Sequence, residues 1–139
     1  MAVSLSRSRT PALALAGWTL FTWTTRVPLM LADPDLGAGE KVVGAAPVLV
    51  FVALGLGTAL GVLRRTPAAA TWAFALAGWS LTYWAVRLPI ILLNDHPVGF
   101  YVAHAVLAGV AGALSVWVGL RLSADRAGPR ARRFSPSGR

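Results

Sequence analysis

The sequence predicts an all-α fold, a bundle of four transmembrane helices built from two parallel helical-hairpin repeats. Three observations carry that expectation. The 139 residues are 56% hydrophobic and 13% charged, a balance that suits a bilayer rather than water. Four apolar runs, 11–32, 42–63, 67–93 and 98–120, are each long enough to cross about 30 Å of hydrocarbon at about 1.5 Å per helical residue. Finally, residues 14–28 return 61 positions later as 75–89, with nine of fifteen positions identical. The identities include Gly17/Gly78, Trp18/Trp79, Trp23/Trp84, Arg26/Arg87 and Pro28/Pro89. Each repeat holds two helices, an even number, so both copies take the same orientation. The expected relation is a pseudo-two-fold axis along the membrane normal.

In chain order, residues 1–10 form an N-terminal tail and 11–122 the four-helix domain, with repeat 1 spanning about 11–65 and repeat 2 about 67–122. The first run is read as a retained helix, not a signal peptide. It exceeds the apolar length of about 7 to 15 residues of a cleaved leader, it lacks a small-x-small site, and it has a copy in the third run. In the second run Pro47 removes a backbone bond and should bend the helix, while Ala53, Gly57 and Gly61 form a small-residue stripe. The fourth run has a similar stripe at Ala105, Gly109 and Ala113. Both stripes are expected to pack inside the bundle, with a homodimer interface as the alternative. Trp72 and Trp117 fit an interfacial belt. The tail 123–139 lacks apolar periodicity, contains Pro129 and Pro136, and is expected to be disordered.

Charge sets the orientation. A net charge of +8 on a soluble protein would point to nucleic acid, but here the arginines follow the apolar runs. Arg7 and Arg9, the Arg64–Arg65 pair, and the tail with Arg121, Arg126, Arg130, Arg132, Arg133 and Arg139 against Asp125 together carry +9. The two alternate loops hold Asp33, Asp35, Glu40 and Lys41 in one and Asp95 in the other. The positive-inside rule therefore places both termini in the cytoplasm, in a multi-pass protein of the cell (inner) membrane. The basic tail is expected to meet anionic lipids of the inner leaflet; nucleic acid is not the expected partner.

The repeated arginines pose the functional question. Each Cα lies about 10 Å inside the outer helix end, where an unpaired arginine costs up to about 2.5–3.5 kcal/mol. One solution is local. Trp23 and Trp84 sit three residues earlier on the same face, where a cation-π contact is worth about 0.5–2 kcal/mol, and Pro28 and Pro89 free the carbonyls of Thr24 and Ala85. On this reading, which leads, W-x-x-R-x-P is a self-contained structural device. The alternative is convergence: Arg26, Arg87 and His104, joined by Tyr83, Tyr101 and Thr22, would line an outward-facing cavity for an anion, a lipid head group or a partner's carboxylate.

Other chemistry is poorly provided for. Without cysteine there are no disulfides or thiolate metal sites, and His96 and His104 do not suit a bis-histidine haem. No metal, cofactor or catalytic residue is expected. The acidic loop residues are read as topology signals, and Gly55 and Gly57 as packing residues.

The pattern G-W-x-L-x-x-W-x-x-R, present as AGWTLFTWTTR and AGWSLTYWAVR, resembles uncharacterised small multispanning membrane proteins of high-GC Gram-positive bacteria. Twelve arginines against the single Lys41 fit GC-rich coding. The resemblance covers the first helix and loop of each half and implies a membrane location without an activity. The expected function is an accessory or interaction subunit with no catalysis of its own, its partner a membrane protein or a second copy. The alternative is a small transporter or binding protein for an anion or lipid head group.

Overall fold

Each apolar run folds as one helix in the computed structural model, which describes residues 8–131, with side chains through residue 126. The helices are α1 (Arg9–Ala32), α2 (Ala38–Leu63), α3 (Ala69–Leu92) and α4 (Val98–Ala131). The described residues contain no strand. α2, α3 and α4 are long and apolar enough to cross a membrane. α1 matches them in length, but Thr19, Thr22, Thr24, Thr25 and Arg26 dilute its apolar character. Exposed Thr24 and Thr25 bond back within the helix, to Leu20 O at 2.5 Å and Phe21 O at 2.8 Å, so their hydroxyls carry their own acceptors.

The helices form an antiparallel ring. α1 packs on α2 and α4, α3 packs on the same two, and α1 touches α3 across the diagonal. Equivalent positions of α1 and α3 turn the same face inward. Ala12 and Ala73, Leu15 and Leu76, Ala16 and Ala77, Thr19 and Ser80, and Trp23 and Trp84 are all buried. The three- and four-residue spacing of these positions is one helical face. Facing it are Val48, Phe51, Thr58 and Val62 of α2 and Ala108, Ala111, Val118 and Leu122 of α4.

The glycines of α2 do what a small-residue seam should. A Cβ at Gly57 would lie 2.7 Å from the Trp72 ring, and one at Gly61 would lie 3.1 Å from the Ala69 backbone. Trp72 therefore seats on α2 as well as remaining part-exposed. Ala53, in contrast, is exposed. The α4 stripe also departs from expectation: Ala105, Gly109 and Ala113 all face outward, and nothing approaches Gly109 within 4 Å. The reason is rotational phase, because His104, Ala108, Ala111 and Ser115 take the inward face one position away.

Connections close by local chemistry. The α2 C-terminus ends in paired reverse bonds, Arg65 N–H to Val62 O at 3.3 Å and Thr66 N–H to Gly61 O at 2.9 Å. Arg65 takes φ 55°, a left-handed conformation usually filled by glycine, so the loop places an arginine where the backbone resists one. Before α2, Glu40 Oε2 accepts the Gly37 N–H at 2.8 Å, and this cap starts the helix four residues before its apolar run.

α4 also runs further than its hydropathy suggests. The expected disorder after Leu122 gives way to helix through Ala131. Ser8 Oγ donates to Asp125 Oδ2 at 2.6 Å, Ser123 Oγ donates to Gly119 O at 2.9 Å, and the Arg126 guanidinium lies 5.6 Å over the Phe74 ring. The Ser8 and Phe74 contacts hold the extension against the start of α1 and against α3 without an apolar period, while the Ser123 bond is internal to α4. The remaining tail, 132–139, and the N-terminal 1–7 lie outside the described residues.

Candidate functional site

At the end of the bundle where α1 and α3 finish and α2 and α4 begin, the helices leave a cavity of ≈ 1090 Å³. Its floor is aromatic. Trp23 stacks on Phe51 with ring centroids 4.3 Å apart, and Tyr83 meets both edge-on at 5.2 Å. Trp23 and Tyr83 line the cavity, and Phe51, 1% exposed, lies behind them as packing rather than as lining. Such pairs contribute about 0.5–1.5 kcal/mol each beyond their buried area.

Above the floor stand the two repeated arginines. Arg26 from α1 and Arg87 from α3 line the same cavity, and both are exposed to it. Among the described residues, no hydrogen bond or ion pair engages either guanidinium. The expected cation-π contacts are not made. Trp23 turns to Phe51 and Tyr83, Trp84 turns to Tyr83 and His104, and the cation-π contact among the described residues is Arg126 with Phe74. The reason is tertiary: α2 supplies Phe51, a larger apolar partner for the Trp23 face than the guanidinium three residues on.

The other proposed members divide. Tyr83 joins Arg26, Arg87 and Trp23 on the cavity wall, but Trp84, His104 and Tyr101 do not line it. His104 is 7% exposed, packs 4.0 Å from the Phe100 ring, and has Nδ1 2.8 Å from Phe100 O. A carbonyl can only accept, so Nδ1 carries the proton and the ring is tied to its own helix. Tyr101 fastens the α3–α4 connection, its hydroxyl accepting from His96 N–H at 2.9 Å and donating to Asn94 O at 2.5 Å. Thr22 borders a separate void of ≈ 10 Å³ with Trp18 and Trp84, and its buried hydroxyl is unpartnered.

Among the further lining residues are four with polar or aromatic side chains that the sequence reading does not place at the site: Asp33, Glu40, His96 and Phe100. Their signal is in the topology, since the connections after the arginine-bearing helices and the first turns of α2 and α4 lie at the same end of the bundle. Each carboxylate uses one oxygen locally, Asp33 Oδ1 accepting from Asp35 N–H at 3.0 Å and Glu40 Oε2 from Gly37 N–H. The other oxygen of each has no partner among the described residues. No group of three His, Asp or Glu side chains among the described residues could hold a metal ion.

Chemically, the cavity sets two guanidiniums, Arg26 and Arg87, and two carboxylates, Asp33 and Glu40, around one space. Two planar guanidiniums present fork-shaped donors to one space, and their repulsion, strong in low dielectric, falls when an anion lies between them. No protein-family model, curated protein or solved structure matches the chain.

Proposed function

We propose that this membrane protein binds a phosphate-class anion, free or as a lipid head group, between Arg26 and Arg87, and performs no catalytic step itself. One observation supports the reading above all: arginines 61 positions apart in sequence, from two helices, line one ≈ 1090 Å³ cavity without partners of their own among the described residues. A self-contained arginine device would not need a shared space. In this reading all four helices span the cell membrane as two parallel hairpin repeats. Arg64 and Arg65 lie at the cytoplasmic face and the cavity opens on the opposite side. The interaction-subunit reading keeps one specific support, the outward stripe Ala105, Gly109 and Ala113, which suits a second membrane helix.

The test is ligand-dependent stability of the purified full chain in a phospholipid-free detergent. Saturating phosphate or an anionic short-chain lipid should raise the unfolding temperature, because a ligand at a hundred times its Kd adds about 2.7 kcal/mol. Arg26→Gln and Arg87→Gln should each weaken the shift, and the double variant should abolish it while remaining folded. A shift of undiminished size in the double variant would contradict the proposal.

A further inference from the structure

The cavity is not uniformly cationic. Its charged lining is two guanidiniums, Arg26 and Arg87, and two carboxylates, Asp33 and Glu40. A simple anion would satisfy the arginines but leave both carboxylates facing a negative ligand. The charges are also layered. Asp33 follows Arg26 by seven residues, about 10 Å along α1, and Glu40 lies in the first turn of α2 at the same end of the bundle. Cationic donors therefore sit deep and anionic acceptors sit at the bundle end, each carboxylate with one oxygen unused among the described residues.

We infer that the ligand is a zwitterionic phosphodiester bearing a primary ammonium, a phosphoethanolamine-type lipid head group. This rests on the anion-binding reading and specifies its ligand. The phosphate meets Arg26 and Arg87, and the ammonium, nearer the aqueous end, donates to Asp33 and Glu40. Net charge then balances on both sides: two cations and two anions in the cavity, one of each in the ligand. The order of charges matches such a lipid in a leaflet, with phosphate nearer the hydrocarbon than the amine. The rim supplies the place for acyl chains. Leu29 and Val43 line the cavity and are 70% and 74% exposed, so an apolar edge adjoins the charged interior. Trp23 in the floor gives an intrinsic fluorophore beside the site.

The experiment titrates delipidated full-length protein in detergent with short-chain phosphatidylethanolamine and phosphatidylglycerol of identical acyl chains. Tryptophan fluorescence and unfolding temperature are the two readouts. Phosphatidylethanolamine should bind about ten-fold or more tighter than phosphatidylglycerol. Asp33→Asn and Glu40→Gln preserve the loop turn and the helix cap, and each should shrink that preference; together they should reverse it. Arg26→Gln with Arg87→Gln should lose both lipids. Equal or tighter binding of phosphatidylglycerol by the native protein, still lost in the arginine double variant, would overturn the zwitterion inference and leave the anion reading standing. Binding insensitive to both arginines would overturn both. Water-soluble glycerophosphoethanolamine, the same phosphodiester without acyl chains, forms a third arm: it should bind far more weakly than the lipid, and equal affinity would overturn the lipid as source.

Discussion

Arg26 and Arg87 illustrate how much of a residue's role is set by its distant neighbours. Their equivalence is legible in the repeat, and so is the cost of placing them in hydrocarbon. Their surroundings are not, because the ring nearest in sequence, Trp23, is claimed by Phe51 of another helix at 4.3 Å. Phe51→Ala should therefore do two things at once. Removing a ring that is 1% exposed should destabilise the fold by about 3–5 kcal/mol, and any remaining folded protein should bind ligand more weakly as Trp23 and Tyr83 lose the packing behind them. Thermal unfolding and titration on the same sample check both. The glycines give a matched comparison. Gly57→Ala sets a Cβ 2.7 Å from the Trp72 ring and should cost about 1–3 kcal/mol, whereas Gly17→Ala and Gly109→Ala, with nothing within 4 Å, should be neutral within about 0.5 kcal/mol or slightly stabilising. Unfolding temperatures of the three variants rank the effects directly.

At the scale of elements, the helices were readable and their rotation was not. Apolar length and turn residues locate all four, with ends within a few residues except where polar contacts extend them. A helix that is apolar on every side offers no polar face to fix its phase, so small-residue spacing alone could not say that Ala105, Gly109 and Ala113 face outward while His104, Ala108, Ala111 and Ser115 face in. The extension of α4 was hidden for a related reason. Its support is a hydrogen bond from Ser8 Oγ to Asp125 Oδ2, spanning 117 positions of sequence, which no periodicity reports. Ser8→Ala leaves that carboxylate without its donor and should lower stability by about 1 kcal/mol, with faster amide exchange confined to α4 beyond Leu122 and to the first turn of α1. Protection unchanged in both segments would show that the bond carries no weight.

For the whole molecule, the distribution of charge is the organising quantity. Arginines alternate with acidic connections along the chain, and Arg65 holds its place despite a left-handed backbone at φ 55°. A cytoplasm-active reporter fused at residue 65 should therefore be active, and one fused in the 33–37 or 93–97 connections should be silent. Matched positions of α1 and α3 are buried alike, and the two arginines that follow them line one end of the bundle. There they meet Asp33 and Glu40, whose place in short loops had suggested only topology. Convergence of the arginines is the claim on which the ligand and its head-group chemistry depend. It is tested most directly by cross-linking, for which the naturally cysteine-free chain is suited. Arg26→Cys and Arg87→Cys, installed together and treated in native membranes with a short bis-maleimide, should give an efficient cross-link within one chain, and the outward pair Gly17→Cys and Gly78→Cys should not. Failure of the first pair to link, with both cysteines still reactive toward a monofunctional maleimide, would contradict the shared cavity.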